Sequence, residues 1–280
     1  MFGKAKARST DDVTAVDCHA HIFEKGLTLA GDRRYAPDYD ATLGDYLVNL
    51  DANGCSHGVL VQPSFLGTDN GYLIAALKRH AGRLRGIAVI EPTLSAGQLE
   101  ELDEAGIVGI RLNLIGMADP ALHTAPWRSL LRALAELDWQ VEVQAEARRL
   151  SGIVEPLLRS GVKVVVDHFG RPDPDLGVED PGFRYLLSRG ETRRVWVKLS
   201  GAYRNGDRNV AIARAALPLL QDAYGPERLV WGSDWPHTQF EKVADFASAR
   251  AQINAWLPKA EDRKQVLVDT PIRLFRFVKD

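Results

Sequence analysis

Eight short apolar runs, rich in β-branched residues, recur along the 280-residue chain, and each of them ends in polar residues. Continuous apolar runs of this length are typical of strands buried on both faces, as in a parallel sheet. The runs are VTAVDCHAH (13–21), HGVLVQPS (57–64), RGIAVIEP (85–92), VGIRLNL (108–114), QVEVQAE (140–146), VKVVVDHFG (162–170), RVWVKLSG (194–201) and LVWGSDWPH (229–237). This repetition favours a fold in which helices cover a parallel sheet.

Segments with the apolar spacing of amphipathic helices lie between these runs. The segment LGDYLVNLDANG (43–54) places Leu43, Tyr46, Leu47 and Leu50 on one face and ends on a glycine, a common residue at helix ends. Other predicted helices are SAGQLEELDEAG (95–106), which opens with a capping box, WRSLLRALAELD (127–138), LSGIVEPLLRSG (150–161) and VAIARAALPLLQDAYG (210–225).

Eight strands that alternate with helices predict an α/β protein with a single (β/α)8 TIM-like barrel. We expect the barrel domain to span residues 13–280 and a disordered N-terminal tail to span residues 1–12. A doubly wound open sheet is the alternative architecture. No glycine-rich dinucleotide or phosphate loop follows any of the runs, which counts against that alternative.

Composition excludes several classes of partner. The formal net charge is -2, whereas a nucleic-acid or anionic-membrane partner would require a basic surface. No apolar run approaches the roughly 18 residues of a membrane span, and the basic start of the chain lacks the apolar core of a secretory signal. The two cysteines, Cys18 and Cys55, have no paired spacing, which predicts a cytoplasmic protein without a disulfide framework. The oligomeric state is not predicted.

The first run ends in a His-x-His pair. Active sites of such barrels lie at the C-terminal ends of the strands. Side chains alternate along a strand, so we expect Asp17, His19 and His21 to share the face that points into the barrel mouth. Cys18 and Ala20 should then face the helices, which makes Cys18 a packing residue.

Polar side chains also end the other seven runs. Each of them alone has a structural interpretation, but three histidines and an aspartate at strand ends of one barrel predict a functional site. We expect Trp231 and Trp235 to pack, and His57, His80 and His123 to be structural or exposed. The strand-end residues are Gln62, Ser64, Glu91, Arg111, Asn113, Gln144, Glu146, His168, Lys198, Ser200, Ser233 and Asp234.

The arrangement of His-x-His after the first run, His168 after the sixth and Asp234 after the eighth resembles the amidohydrolase superfamily. The resemblance covers essentially the whole chain and points to one branch within the superfamily. The motifs VQPSFLGTDN (61–70), GIRLN (109–113), DHFGRPD (167–173), VKLSG (197–201) and GSDWPH (232–237) are similar to those of the branch of 2-pyrone-4,6-dicarboxylate lactonase and sugar-acid lactonases.

The resemblance implies a lactone hydrolase. Asp234 would be the general base that takes a proton from water and returns it to the leaving oxygen. The three histidines, His19, His21 and His168, would donate to the lactone carbonyl as charge develops on its oxygen. The resemblance implies that Arg111, Tyr35 and Ser64, with Arg204 as a further contact, bind an anionic, small-molecule lactone. Gln144, at the end of the fifth run, and His237, three residues after Asp234 at the rim, are further candidates for substrate binding.

Two positions depart from the pyrone-dicarboxylate enzyme. Gln144 stands where that enzyme carries a tyrosine, and Met117 stands near the place of a second arginine. Loss of an arginine removes a clamp for a carboxylate. A lactone with one carboxylate, or a hydroxylated lactone, therefore fits at least as well as a dicarboxylate.

A metal is not expected to be obligatory. Metal-dependent members of the superfamily add a lysine or glutamate after the fourth strand and a histidine after the fifth. This chain has Arg111 and Asn113 on the fourth run and Gln144 on the fifth, and these side chains are not zinc ligands. Zinc remains possible, and its ligands would be His19, His21, Asp234 and His168.

Two alternatives to a metal-independent lactonase stay open. The first is a zinc-dependent hydrolase or decarboxylase of a cyclic or unsaturated carboxylic acid. The second is a barrel that binds an organic acid without turnover, for which several arginines near the mouth would also be expected. Retention of a base and three histidines counts against mere binding. The arginines are Arg33, Arg34, Arg111, Arg171 and Arg204.

Overall fold

The computed structural model describes residues 13–206 and 209–277, and these residues contain a barrel of eight parallel strands in sequential order. The predicted tail at residues 1–12 lies outside the described residues. A bridge between Ala20 and Trp235 brings the last strand against the first, which confirms the (β/α)8 barrel. The strands are β1 Val16–Ala20, β2 His57–Val61, β3 Leu84–Ala88, β4 Ile107–Asn113, β5 Gln140–Gln144, β6 Lys163–Val166, β7 Val195–Leu199 and β8 Leu229–Trp231.

Helices connect the strands and cover the outside of the barrel. Where the sequence predicts helices, the structure has them within a few residues, and the predicted capping box of Ser95 and Gln98 is present. No helix in the described part of the chain is both long and apolar enough to cross a bilayer. The helices are α1 Leu43–Ala52, α2 Gly71–Arg79, α3 Ala96–Glu104, α4 Ala125–Glu136, α5 Leu150–Ser160, α6 Pro181–Ser188, α7 Asn209–Tyr224, α8 Phe246–Trp256, α9 Ala260–Lys264 and α10 Thr270–Leu274.

The register of β1 against β2 shifts between Asp17 and Ala20, and this shift overturns part of the predicted facing. Asp17 points towards α1, where its carboxylate accepts a hydrogen bond from the Tyr46 hydroxyl at 3.1 Å. Cys18 packs among valines of neighbouring strands, including Val59. The prediction that Asp17 shares the face of the histidines is therefore wrong, as is the prediction that Cys18 faces the helices. Its role as a packing residue is confirmed.

Asp17 ties β1 to the loop that follows β8. Its carboxylate accepts hydrogen bonds from the Ser233 amide at 2.7 Å, the Ser233 hydroxyl at 2.6 Å and the His19 amide at 3.2 Å.

We expect Asp17→Ala to lower the free energy of unfolding by about 3 kcal/mol or more, because several buried donors lose their acceptor. Urea denaturation measures this loss. Asp38→Ala, at an exposed position, is the control and should change stability by less than about 0.5 kcal/mol. A loss below 1 kcal/mol for Asp17→Ala would contradict the prediction.

Candidate active site

A cavity of about 140 Å³ opens at the C-terminal ends of the strands. Eight of the ten side chains predicted for the site line it, and they come from seven different strand ends or loops. The described lining residues are His21, Arg34, Tyr35, Pro63, Ser64, Arg111, Asn113, Ile115, Gln144, His168, Arg171, Arg204, Asp234, Thr238, Gln239 and Phe240.

The two other predicted residues lie next to the cavity. His19 is fully buried, and its Nε2 atom is 3.8 Å from Oδ1 of Asp234. His237 lies behind Tyr203, whose hydroxyl is 3.0 Å from its Nδ1 atom, and it is not among the lining residues. The structure thus places His237 away from the rim position that the sequence predicts.

Asp234 follows β8 in a backbone conformation with φ of 63°, which residues other than glycine adopt infrequently. The backbone amide of Asp234 donates to the His19 carbonyl at 2.8 Å, which fixes the loop against β1. Gly201 makes room for the carboxylate, since a Cβ atom there would lie 2.6 Å from Oδ2 of Asp234 and 2.9 Å from Nδ1 of His168. A side chain at position 201 would therefore displace the catalytic candidates.

The carboxylate of Asp234 is held by Arg204 and Tyr203. Arg204 donates from Nε to Oδ2 at 2.5 Å and from Nη2 to Oδ1 at 3.2 Å, and the Tyr203 hydroxyl donates to Oδ2 at 2.7 Å. Burial would raise the pKa of Asp234, but the charge and hydrogen bonds of Arg204, together with the neighbouring His168 and His19, outweigh burial and hold this pKa well below the usual 3.8. Asp234 is therefore ionised at neutral pH. Sequence reasoning assigned Arg204 to substrate and missed this ion pair.

The three histidines surround Asp234 in neutral form. Burial lowers the pKa of His21 and that of His168 to about 3, and burial together with Lys198 lowers that of His19 well below 6.5. The rings of His21 and His168 each lie 4.9 Å from that of His19. Neutral imidazole has one donor and one acceptor nitrogen, so the nitrogen of each ring that faces the site either donates or accepts a hydrogen bond, but not both.

The cavity is strongly cationic. Arg34, Arg111, Arg171 and Arg204 all line it, and Asp234 is the acidic side chain among the described lining residues. Arginine suits a carboxylate because its planar fork forms two parallel hydrogen bonds. Of the predicted arginines, Arg33 is not among the lining residues. The arrangement is complementary to a small anion.

A buried charge network lies beneath the cavity, and sequence reasoning did not predict it as part of the site. Arg111 donates from Nε and Nη2 to Oδ2 of Asp167 at 3.2 and 3.1 Å. Lys198 donates to Oε2 of Glu142 at 2.6 Å and lies 3.3 Å from Oδ1 of Asp167. The available signal was a lysine within the apolar run VWVKL and a glutamate within QVEVQ, because a charged residue inside a buried strand requires a partner.

The other residues considered from the sequence either line the cavity or pack within the fold. Tyr35 and Ser64 line the cavity, as does Gln144, whose side-chain oxygen has no hydrogen-bond partner within the described chain. Trp231 is buried and Trp235 stacks on Tyr46, so both pack as predicted. The histidines predicted to be structural or exposed also match: His57 is buried, His80 is partly buried and His123 is exposed.

Two groups of side chains bring possible metal ligands within 4.8 Å of one another. They are His19, His21 and Asp234, and His19, Asp167 and His168. In the first group the nitrogens lie 3.8 and 4.0 Å from Oδ1 of Asp234, beyond the roughly 3.3 Å that separates ligands around tetrahedral zinc. Arg204 also occupies both oxygens of Asp234. In this arrangement the first group does not fit a zinc ion.

Comparisons with known proteins find similar sequences over nearly the whole chain. A family model for amidohydrolases matches residues 16–277. A 4-sulfomuconolactone hydrolase of Hydrogenophaga intermedia is 32% identical over 267 residues, which cover 92% of this chain and 88% of that protein. A 2-pyrone-4,6-dicarboxylate hydrolase of Comamonas testosteroni is 31% identical over 276 residues, which cover 93% of this chain and 90% of that protein.

Solved structures share the fold. A crystal structure from Acinetobacter baumannii, described as a "probable 2-pyrone-4,6-dicarboxylic acid hydrolase" with citric acid bound, superposes with a TM-score of 0.91 at 39% identity. The match covers 94% of this chain and 99% of that one. An amidohydrolase from Burkholderia multivorans with bound zinc superposes with a TM-score of 0.78 at 20% identity, a likeness of fold alone.

Proposed function

Because the chain belongs to the amidohydrolase family, we propose that it is a hydrolase that opens the ring of a carboxylated lactone without an obligatory metal. Its relatives from Hydrogenophaga and Comamonas are named as hydrolases of lactone or pyrone rings that carry anionic groups. The substrate class is a 2-pyrone-4,6-dicarboxylate-like lactone or a sugar-acid lactone.

The observation that carries this proposal is a buried, ionised aspartate that faces neutral imidazoles in a cavity lined by arginines. Asp234 is fully buried, and the ring nitrogens of His19 and His21 lie 3.8 and 4.0 Å from it. A carboxylate held close to water accepts a proton, and imidazole N–H groups stabilise charge that develops on a carbonyl oxygen. The arginines supply binding for the carboxylate of the substrate.

Hydrolysis proceeds in two proton transfers at Asp234. Its carboxylate takes a proton from the attacking water as the oxygen adds to the lactone carbonyl, while imidazole N–H groups donate to the carbonyl oxygen. The tetrahedral centre then collapses, the ring C–O bond breaks, and Asp234 returns the proton to the leaving oxygen. The product is the open-chain hydroxy acid or its keto tautomer.

Binding of the substrate frees the base. In the structure Arg204 holds both oxygens of Asp234, so the carboxylate has few lone pairs left for water. Arg204 also lines the cavity, where a substrate carboxylate competes with Asp234 for its guanidinium. Transfer of one or both hydrogen bonds from Asp234 to the substrate gives the base access to water at the moment when the lactone is in place.

A lactone panel assayed on protein of measured metal content tests the proposal. The panel contains pyrone dicarboxylates, muconolactones with carboxylate or sulfonate groups, and aldonolactones. We expect hydrolysis of at least one anionic lactone, and exhaustive chelation with confirmed removal of metal should leave kcat/KM unchanged. Inactive apo-protein that zinc restores would establish the zinc-dependent alternative instead. Tight binding of an organic acid with no turnover across the panel would establish the non-catalytic alternative.

A further inference from the structure

Lys198 lies at the centre of the barrel and is completely buried. Its ammonium group has three N–H donors and no acceptor. Three acceptors face it: Oε2 of Glu142 at 2.6 Å, Nδ1 of His19 at 2.9 Å and Oδ1 of Asp167 at 3.3 Å. Glu142 and His19 are its hydrogen-bond partners, and Oδ1 of Asp167 lies at ion-pair distance.

This contact decides which nitrogen of His19 carries the proton. Two groups lie near Nδ1 of His19: the Lys198 ammonium, which can only donate, at 2.9 Å, and Oδ1 of Asp167 at 3.5 Å. The lysine is the nearer, so Nδ1 presents its lone pair to Lys198 and the proton of the neutral ring resides on Nε2. The Nε2 atom is buried, has no partner among the described residues and lies 3.8 Å from Oδ1 of Asp234. His19 therefore offers a donor to the position between Asp234 and the lactone carbonyl.

The second histidine of the pair has the opposite arrangement. Nδ1 of His21 lies 2.7 Å from the Val61 carbonyl, which can only accept, so the proton resides on Nδ1. The Nε2 atom of His21, which faces Asp234 at 4.0 Å, then carries a lone pair. The sequence implied that both histidines donate to the carbonyl, whereas these contacts make one a donor and the other an acceptor.

We propose that Lys198 is a positioning residue that fixes His19 as the donor to the lactone carbonyl, and that His21 accepts a hydrogen bond from the attacking water. The assignment of the lactone carbonyl and the attacking water as partners rests on the proposed lactone hydrolysis. The two tautomers follow from contacts within the protein and do not depend on that proposal. With His21 and Asp234 as acceptors, water is held by both of its hydrogens while its oxygen faces the carbonyl that His19 polarises.

The same contact disfavours zinc binding at the His-x-His pair. A zinc-bound histidine needs a lone pair on the ligating nitrogen and usually donates its other N–H to a carboxylate or carbonyl. His21 satisfies this condition through Val61, whereas Lys198 imposes the reverse on His19. Oδ1 of Asp167 lies 3.5 Å from Nδ1 of His19, so removal of Lys198 leaves a carboxylate ready to accept the proton. His19 would then acquire the zinc-binding tautomer.

The tautomers are measured directly by long-range ¹H–¹⁵N correlation spectra of protein labelled with ¹⁵N-histidine. The signals of His19 and His21 are assigned from spectra of His19→Gln and His21→Gln. We expect a protonated Nε2 on His19 and a protonated Nδ1 on His21 at neutral pH. A protonated Nδ1 on wild-type His19 would overturn the proposal without any use of substrate, so this outcome is separable from failure of the lactonase assignment.

Lys198→Met retains the length of the buried stem and removes the donor. We expect His19 to shift towards the Nδ1-protonated form, kcat to fall on the order of a hundredfold with a smaller change in KM, and zinc affinity by calorimetry to rise at least about tenfold. Lys163→Met is the control, because this strand lysine pairs with Asp138. An unchanged His19 tautomer in folded Lys198→Met would refute the positioning role; if that variant does not fold, the wild-type spectrum alone decides.

Discussion

Asp234→Asn is expected to lower kcat/KM for the lactone by about 10⁴-fold, the upper range for loss of a general base. Asparagine keeps the shape of the side chain and one oxygen that can accept from Tyr203 or Arg204, so the fold should persist. An amide does not take a proton from water at neutral pH. The loss should therefore appear in kcat, while KM changes little because the arginines of the cavity remain.

Steady-state kinetics on the best lactone of the panel, with circular dichroism and a thermal midpoint, measure this effect. Asp119→Asn is a matched control, because Asp119 is also paired with an arginine, Arg149, but has an exposed side chain. The control should retain wild-type turnover. Near-wild-type turnover by Asp234→Asn would show that another group activates the water, and the mechanism would have to be abandoned.

The arrangement of the barrel could be predicted from the sequence, because buried parallel strands require continuous apolar runs and every run was long enough to recognise. Residue types at the strand ends also predicted the cavity: His21, Arg111 and Gln144 line it. The facing of Asp17 and Cys18 could not be predicted in the same way. One shift in register between β1 and β2 reverses the alternation, and no residue type marks it.

The chemistry of the histidines was further beyond the reach of sequence. His19 and His21 are equivalent in the motif, and their difference arises from Lys198 and Val61, which belong to other strands. The ion pair between Arg204 and Asp234 likewise joins two loops that are 30 residues apart in the chain. Such contacts depend on the placement of loops and on the register around the barrel, whereas the sequence pattern reports only which strands carry polar ends.

Arg204→Met should reduce kcat/KM at neutral pH on the order of 10³-fold, because it removes a charged partner of the substrate carboxylate from a site shielded from water. Most of this loss should appear in KM. Arg34→Met is the control, since Arg34 also lines the cavity but is exposed at its rim, whereas the hydrogen bonds to the Asp234 carboxylate come from Arg204. Its loss should weaken binding to a smaller degree.

The pH dependence separates the two roles of Arg204. Activity requires the ionised form of Asp234. In the wild type, Arg204 holds the pKa of Asp234 well below 3.8, so protonation of Asp234 should not lower kcat/KM at moderately acidic pH. Without Arg204, burial raises the pKa of Asp234, and kcat/KM should decline with unit slope as the pH is lowered, in a range where the wild type is flat. Arg34→Met should retain the wild-type profile. An Arg204→Met profile that parallels the wild type would mean that Arg204 serves the substrate alone and does not restrain the base.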